Sequence, residues 1–587
     1  MCGIGGIILR NNQTVNFSNE LLTNKINTMS NTQVKRGPDS SKLVVGEKFA
    51  FSHNRLAIID LSETGAQPMV INDWLIVFNG EIYNYKELKE VLINENIIFQ
   101  GNSDTEVLLN YFIKFGIDKT LEDINGIFSF CIYNQISGEF YCAKDRLGEK
   151  PFFYYLDEYN NFYFSSNPAA IVKSCPEIEW KLDKEALWQF FELGGFFTQK
   201  TLFDGIKRLD SSCVIRGNKD KFEISRYWQP RYVSNLDGPK LINQVRKSIY
   251  SRTVSDVPIV LFLSGGIDSS TVATVLRNID AVHLFSPEVE HAEKVASIYD
   301  INLRIIKPND FDIRKVTLDY CEFAGEPTMA GFIPYITSES VSKTHKVALT
   351  ANGADELFFG YTRIPTPNIN PKTLQLRKSK SNLSVDRNAG THSEQIFHIF
   401  RHPDNFDMPI LGQKKTEKDL MDLLNSSITK LSDEFPKSSQ YRWFELMTYV
   451  KGDLNLTLDY ASMANSLEVR APFLDHELVE QALSLDENKH ITAKYGRKHF
   501  LKVILDSDKI PSTVWNREKI GFSLTTSYRE SVDDLKDEAL RVLSQEGYLN
   551  LHCNSHKSGR DKQYLRSAAF GFYCWKQIWI DSGIVKI

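Results

Sequence analysis

Cysteine is scarce in this sequence, and long apolar runs and a charge excess are missing. Eight cysteines in 587 residues are too few for a disulfide framework, so we expect a reduced, cytoplasmic protein. Lys plus Arg is 69 and Asp plus Glu is 74, and the resulting charge of −5 argues against a nucleic-acid partner. No apolar run approaches the roughly 18 residues of a membrane span. The opening MCGIGGIILRNN lacks the basic region of a secretory signal.

The length and composition predict two globular domains. Hydrophobic residues are 42% and charged residues 24% of the chain, which excludes disorder, and the chain is too long for one core. Short apolar runs between turn residues predict stacked antiparallel sheets in a first domain over 1–229. A polar stretch with Pro and Gly at 230–240 predicts the linker. The strands are predicted at Ile4–Leu9, Phe49–Ser52, Leu75–Phe78, Ile127–Tyr133, Glu139–Ala143 and Phe152–Tyr155, and helices at Leu21–Met29, Tyr85–Asn94, Thr105–Phe115 and Trp188–Phe197.

The second predicted domain, 240–587, alternates short apolar runs with helical periodicity. This alternation predicts a doubly wound parallel sheet whose ligand site lies at the carboxyl ends of its strands. Residues 366–440 form a divergent insertion, polar and basic at its start, which indicates a long loop. The chain beyond it reads as mostly helical. Strands are predicted at Pro258–Leu263, Ala281–Phe285, Leu303–Ile306 and Lys346–Thr350.

Cys2 directly follows Met1. Removal of Met1 would leave one residue with both a thiol and a free α-amino group. The α-amino group titrates near pH ~7.7–8.0, which suits a base at cellular pH. Because the thiolate is a strong nucleophile, Cys2 could supply nucleophile and base together.

Other residues near this end could bind an amino acid with a side-chain amide, and glutamine fits. Arg55, which we place at the start of a strand, could hold a carboxylate with two hydrogen bonds. Asn79 and the backbone of Gly80 could donate to an oxyanion. Asp104 could bind an ammonium group, or it could be the N-cap of the helix that follows.

The motifs MCGI, RGPD, RLAIIDLS, NGEIYN and SDTE occur in this order. Together they resemble the glutaminase domain of the asparagine synthetase family. The resemblance implies an N-terminal-nucleophile (Ntn) αββα sandwich, with Cys2 as nucleophile and Asn79 and Gly80 as the oxyanion hole. It also implies a glutamine site made of Arg55, Leu56, Ile58, Ile59, Asn79, Gly80, Glu81 and Asp104.

The octet LSGGIDSS, which begins at Leu263, lies between a predicted strand and a predicted helix. Its glycines let the backbone approach an anion closely, and the helix N-terminus adds positive potential. It lacks the Gly-Lys-Ser/Thr of the Walker type, and Asp268 would suit Mg²⁺. The octet resembles the pyrophosphate loop of enzymes that cleave ATP to AMP and pyrophosphate. The implied ATP site comprises Leu263, Ser264, Gly265, Gly266, Asp268, Ser269, Ser270, Phe285, Thr350 and Ala351.

Two further features match the same family, and the resemblance covers about 1–229 and 240–522. The loop ANGADELF supplies Asp355, implied as the second Mg²⁺ ligand beside Asp268. Lys498 matches the lysine that the family sets against the activated intermediate, where a cation would stabilise charge on the α-phosphate.

One position departs from the family pattern. Asparagine-forming members usually read Ser-Gly-Glu-Gly where this chain reads Thr-Ala-Asn-Gly at 350–353. Asn352 can hydrogen-bond, but it cannot take a proton. Either another base serves, with Glu356 and Glu468 as candidates, or the acceptor is not aspartate.

The resemblance therefore implies a glutamine-dependent amidotransferase with ATP and Mg²⁺ as cofactors. Its small-molecule substrates would be glutamine, ATP and a carboxylate acceptor, by default aspartate. The alternatives are a uronic-acid sugar or secondary-metabolite acid as acceptor, an intramolecular cyclase, and a binding protein with relic sites. We expect no nucleic-acid or membrane partner, and family analogy suggests a homodimer.

Overall fold

The computed structural model describes residues 2–10, 18–284, 289–307, 311–361, 410–411, 419, 422–423, 429–508, 510–516, 526–549 and 559–587. Phe285 and most of the predicted insertion at 366–440 lie outside these residues. Below, the N-terminal part means residues 2–229 and the C-terminal part means residues 240–587.

The N-terminal part contains two antiparallel sheets of six strands each, counted over the described residues. Their orders are β11-β8-β9-β1-β3-β2 and β13-β12-β7-β6-β5-β4. The strands are β1 (Cys2–Ile8), β2 (Ser40–Val45), β3 (Phe49–Arg55), β4 (Met69–Ile71), β5 (Trp74–Ile82), β6 (Gly126–Asn134), β7 (Phe140–Lys144), β8 (Phe153–Leu156), β9 (Phe162–Ser165), β10 (Trp180–Lys181), β11 (Lys207–Arg208), β12 (Cys213–Gly217) and β13 (Phe222–Arg226).

The two sheets pack face to face, and helices cover their outer faces. Ile4 and Phe51 of one sheet and Val77 and Cys131 of the other lie in one buried cluster between the sheets. Helices α1 (Asn19–Gln33) and α4 (Pro168–Ser174) pack on the first sheet and its strands, and α3 (Asp104–Asp123) packs on the second. The αββα sandwich is thus confirmed. Because β1 is buried on both faces, its sequence is apolar or glycine throughout.

The C-terminal part is built around a parallel sheet of five strands within the described residues. The order is β16-β15-β14-β17-β18, and every pairing is parallel, which confirms the doubly wound prediction. The strands are β14 (Ile259–Phe262), β15 (Asp280–Leu284), β16 (Leu303–Ile306), β17 (Val347–Leu349) and β18 (Glu468–Arg470); β19 (Val585–Lys586) instead pairs with β10 of the N-terminal part.

The remaining helices flank these sheets, and no described helix has the length and apolarity needed to cross a bilayer. They are α2 (Tyr85–Asn94), α5 (Lys184–Leu193), α6 (Gly238–Ser251), α7 (Ile267–Leu276), α8 (Val289–Ile298), α9 (Ile313–Ala324), α10 (Phe332–Val341), α11 (Ala354–Leu357), α12 (Lys437–Glu445), a π-helix (Leu446–Leu454), α13 (Asn455–Met463), α14 (His476–Ser484), α15 (Glu487–His490), α16 (His499–Ser507), α17 (Ser512–Trp515), α18 (Thr526–Gln545) and α19 (Gly559–Trp579).

The helix predicted at Trp188–Phe197 begins earlier and ends earlier than expected. It is α5, and its last residue is Leu193 because Gly194 adopts a left-handed conformation with φ 76°. Glycine commonly ends helices in this way, since it carries no side chain that opposes positive φ. The aromatic residues beyond Gly194 therefore pack in the core from an irregular segment.

The two parts share a continuous apolar core. Helix α19, near the end of the chain, packs against α5 and α9. Its Trp575 and Trp579 rings lie 5.6 and 5.1 Å from the ring of Phe203 in the N-terminal part. This shared core fixes the position of one functional site relative to the other.

Candidate active sites

Cys2 opens β1 and faces the side chain of Asn79 in β5. Its backbone nitrogen donates to Asn79 Oδ1 over 2.9 Å. Removal of Met1 would turn this nitrogen into the α-amine. Burial raises the pKa of the Cys2 thiol, and the Leu56 backbone opposes that shift with a hydrogen bond. The thiol would therefore need a base close by, and after removal of Met1 the α-amine of Cys2 itself would lie there.

The predicted oxyanion donors lie beside Cys2. Asn79 is fully buried, and its Nδ2 makes no hydrogen bond to any described residue. A buried donor of this kind is costly unless a ligand satisfies it. At Gly80 an added Cβ would lie 2.0 Å from the carbonyl oxygen of Ile127, so only glycine fits between β5 and β6.

Arg55 is the last residue of β3, so the predicted start of a strand is wrong. Its guanidinium donates to the carbonyl oxygens of Asp60 and Ser62, the latter over 2.7 Å. The loop that curls around it, residues 56–62, is named the glutamine loop below. Within this loop Leu56, Ile58 and Ile59 are buried, so the predicted glutamine-binding backbone lies on a packed support.

Asp104 and Glu81 lie near each other at the end of β5. The N-cap of α3 is Ser103, whose hydroxyl accepts from the Glu106 N–H over 3.2 Å, and not Asp104. Asp104 instead accepts from the Ile82 N–H over 3.0 Å, and burial raises its pKa to about 6. Burial and then the charge of Glu468 raise the pKa of Glu81 well above its ordinary value. The prediction of Asp104 as the N-cap is therefore wrong, and its role as an ammonium ligand stays a prediction.

The predicted phosphate loop connects β14 to α7. Gly265 has φ +68°, and an added Cβ would lie 2.4 Å from the backbone nitrogen of Ala292. Ser264 Oγ accepts from the Gly266 N–H over 3.3 Å and lies 3.0 Å from Ser269 Oγ. Leu263 and Ser270 are buried behind the loop. The N–H groups at the start of a ten-residue helix and the hydroxyls suit an anion.

Lys498 lies between the two predicted metal ligands. Its Nζ is 2.7 and 2.6 Å from the carboxylate oxygens of Asp268 and 2.5 Å from Asp355 Oδ1. Asp268 comes from the first turn of α7 and Asp355 from the first turn of α11. The Asp268 and Asp355 carboxylates thus converge on the Lys498 ammonium group. Such a pair also fits Mg²⁺, which takes oxygen ligands from one or two carboxylates and from phosphates.

The second predicted loop follows β17. Thr350 Oγ1 donates to Asn352 Oδ1 over 3.2 Å, and Ala351 lies between them. Glu356 is buried and accepts from the Tyr361 hydroxyl over 3.0 Å. Asn352 therefore lies in the predicted second loop, where its side chain offers only hydrogen bonds.

Glu468 does not lie at this site, contrary to its prediction as a base there. It pairs in register with Val347, at the start of β17, whereas the phosphate loop follows the ends of the strands. Burial would raise the pKa of Glu468, but the adjacent Arg470 outweighs it and the pKa is lowered to about 2. Glu468 is therefore ionised and faces Glu81 rather than Lys498.

Sequence reasoning missed the pairing of Arg36 with Asp459. Arg36 Nε donates to the Cys2 carbonyl over 3.1 Å, and its two terminal nitrogens bind the Asp459 carboxylate over 2.8 and 3.2 Å. Arg36 begins the RGPD motif, which contributed only to the family resemblance. Nothing in the sequence indicated a partner 423 positions away.

Sequence comparison agrees with this two-part arrangement. Residues 1–228 match the glutamine amidotransferase domain family, and residues 240–573 match the asparagine synthase family. A putative glutamine-hydrolysing asparagine synthetase 2 of Methanocaldococcus jannaschii is 34% identical over 450 residues, covering 68% of this chain and 84% of the relative. The glutamine-hydrolysing asparagine synthetase 1 of Bacillus subtilis is 29% identical over 561 residues, covering 89% and 87%. The chain belongs to the asparagine synthase family.

Proposed function

We propose that this chain is a glutamine-dependent ligase that activates a carboxylate with ATP and amidates it, with aspartate as the acceptor. We also propose that the division at 1–229 and 240–587 separates its glutaminase domain from its synthetase domain. The observation that carries the proposal is the placement of Lys498 between Asp268 and Asp355 at the phosphate loop, in the same chain as the Cys2–Asn79 pair.

The first half-reaction would take place at Cys2. Arg55 binds the glutamine carboxylate and Asp104 its ammonium group, which presents the side-chain amide to the thiolate. Attack gives a tetrahedral oxyanion, and Asn79 Nδ2 and the Gly80 N–H are the donors for it. The α-amine of Cys2 takes the thiol proton and passes it to the leaving ammonia. Water then hydrolyses the thioester to glutamate.

The second half-reaction would take place at the phosphate loop. A carboxylate oxygen of the acceptor attacks the α-phosphorus of ATP, and pyrophosphate leaves. Lys498 donates to the α-phosphate as its charge builds, and Mg²⁺ held by Asp268 and Asp355 would supply further positive charge. Ammonia then attacks the acyl carbon, and AMP leaves with the electron pair of the broken C–O bond.

Free ammonia would be protonated and diluted in water, so we propose an enclosed passage between the sites. Buried polar residues connect them: Arg470 Nη2 lies 3.6 Å from Glu81, and the Arg470 carbonyl accepts from the Thr350 N–H over 2.9 Å. Glu81 Oε2 and the Tyr83 hydroxyl have no hydrogen-bond partner among the described residues. Such groups would suit ammonia or water in transit.

Asn352 favours a second candidate, the same chemistry on another carboxylate such as a uronic-acid sugar or a secondary-metabolite acid. In that case the acceptor site would differ while both nucleotide loops remained. An intramolecular cyclase is disfavoured because the residues predicted for glutamine use, Cys2, Arg55, Asn79 and Asp104, are all present. Loss of all activity, as in a relic binding protein, is disfavoured for the same reason.

The exchange of labelled pyrophosphate into ATP tests the acceptor directly. It needs only the adenylation step, so no nitrogen donor is added. Exchange that depends on L-aspartate supports the proposal, and exchange only with other carboxylates supports the second candidate. Lys498→Ala is the control that should abolish exchange in either case.

A further inference from the structure

The glutamine loop rests on the C-terminal part of the chain at Asp256. The Asp256 backbone N–H donates to the Ile58 carbonyl over 3.0 Å. The Asp60 N–H donates to Asp256 Oδ2 over 2.8 Å. These two hydrogen bonds clamp the loop from outside, at the two residues that flank Ile59.

Asp60 is one of the two residues whose carbonyl oxygens orient the Arg55 guanidinium, and Ser62 is the other. The carbonyl of Asp60 accepts from the Arg55 guanidinium, and its own backbone is left-handed with φ 53°. Its carboxylate accepts from the Ser62 N–H over 3.2 Å and from the Asn102 N–H over 2.8 Å. The Asp256 carboxylate is the acceptor for the backbone N–H of Asp60. A left-handed residue other than glycine is strained and holds only where its surroundings fix it.

A second contact of the same kind joins Lys346 to the loop. Lys346 Nζ lies 2.7 Å from Asp39 Oδ2, and the same Asp39 oxygen accepts from the Ala57 N–H over 2.7 Å. Asp39 thus links the start of the glutamine loop to the residue that precedes β17.

Both contacts come from the starts of strands whose ends carry the nucleotide loops. Asp256 precedes β14, which leads into the phosphate loop, and Lys346 precedes β17, which is followed by Thr350. The glutamine loop therefore lies near the amino ends of these parallel strands, and the predicted ATP site lies at their carboxyl ends.

We propose that Asp256 and Lys346 are positioning residues for glutamine. They hold the glutamine loop in the conformation that aims Arg55 at the substrate carboxylate, although neither touches substrate. The inference rests on the proposed function, because it takes Arg55 as the carboxylate ligand. In this proposal, two residues of the C-terminal part, which also holds the predicted ATP site, support the glutamine site of the N-terminal part.

The test uses the full chain with Asp256→Ala, Asp256→Asn, Lys346→Ala and the exposed control Lys343→Ala. Asp256→Ala should raise the KM for glutamine hydrolysis about fivefold, the effect of one lost hydrogen bond, with kcat nearly unchanged. Asp256→Asn keeps an acceptor oxygen and should restore most of the loss. Lys346→Ala should raise KM about twofold, because Asp39 still accepts from Ala57.

Ammonium-dependent synthesis and thermal unfolding are measured on the same variants. Both should match wild type, as should every property of Lys343→Ala. An unchanged KM in Asp256→Ala, or a fall in kcat without a change in KM, would overturn the positioning role. If wild type itself neither hydrolyses nor binds glutamine, the proposed function fails and this inference fails with it. Hydrolysis by wild type with no KM effect in the variants removes only the inference.

Discussion

Arg36 and Asp459 form a buried ion pair with two hydrogen bonds across the boundary between the two parts of the chain. Their side chains are 0% and 2% exposed. Arg36 also donates to the Cys2 carbonyl, so the backbone of the predicted nucleophile is linked through Arg36 to α13 of the C-terminal part. One guanidinium thus joins Cys2 to the C-terminal part of the chain.

Removal of one member of this pair should destabilise the protein strongly. Asp459→Ala leaves the Arg36 charge buried without its carboxylate, which typically costs about 3–5 kcal/mol of unfolding free energy. Urea unfolding followed by tryptophan fluorescence measures it. The double variant R36M/D459L should recover part of the loss, because the buried Arg36 charge is gone, while the buried Lys150 ammonium, 4.0 Å from Asp459, still loses that carboxylate. A single variant within 1 kcal/mol of wild type would contradict this role for the pair.

Replacement of Cys2 should separate the two half-reactions. Cys2→Ala removes the thiol, so glutamine-driven amide formation should fall below detection. Synthesis driven by ammonium salts should continue at near the wild-type rate, because Lys498, Asp268 and Asp355 are untouched. Product formation with each nitrogen donor is measured by mass spectrometry. Loss of both activities would show that the two sites are not separate.

Glutamine binding should depend on the ionisation of Asp104. Burial raises the pKa of Asp104 to about 6, so its carboxylate is charged above that pH and neutral below it. Affinity for the glutamine ammonium group should therefore fall as pH drops through 6. Calorimetry on Cys2→Ala between pH 5 and 8 measures binding without chemistry. Asp104→Asn should bind weakly at every pH, and a wild-type-like pH dependence in that variant would assign the titration to another group.

The phosphate loop should tolerate no side chain at Gly265. Gly265→Ala would place a Cβ against the Ala292 backbone at a positive φ, which pushes the loop away from its anion-binding form. Acceptor-dependent pyrophosphate release should drop by about a hundredfold or more, the effect of losing aligned donors. Glutamine hydrolysis should remain, since Cys2 lies in the other part. A wild-type rate of pyrophosphate release in this variant would contradict the assignment of this loop to the ATP site.

Local patterns in the sequence predicted the class of all three large sheets but only some of their strands, the short apolar runs between turns. The strands that were not predicted are β2, β4, β9, β11, β12, β13 and β18. The strand predicted at Leu75–Phe78 continues to Ile82, since Asn79 and Gly80 keep pairing with β6. Polar residues at the end of a strand have the composition of a loop, so sequence alone does not show that they continue the strand pairing. Arg55 was placed at the wrong end of its strand for the same reason.

Contacts between distant residues were beyond sequence reasoning. The Asp268, Asp355 and Lys498 cluster could be predicted only by family resemblance, because it joins three loops far apart in the chain. Glu468 was misplaced because its motif adjoins the family block for the synthetase site, while its strand points its side chain at Glu81. The Asp256 and Lys346 contacts carry no local pattern at all.

The most direct test of the account supplies amide-labelled glutamine, Mg-ATP and L-aspartate together, with aspartate omitted in a parallel reaction. Pyrophosphate is measured, and asparagine is detected by mass spectrometry. We predict pyrophosphate release that depends on aspartate, together with asparagine that carries the glutamine label. Hydrolysis of glutamine with no response to aspartate in either product would contradict aspartate as the acceptor.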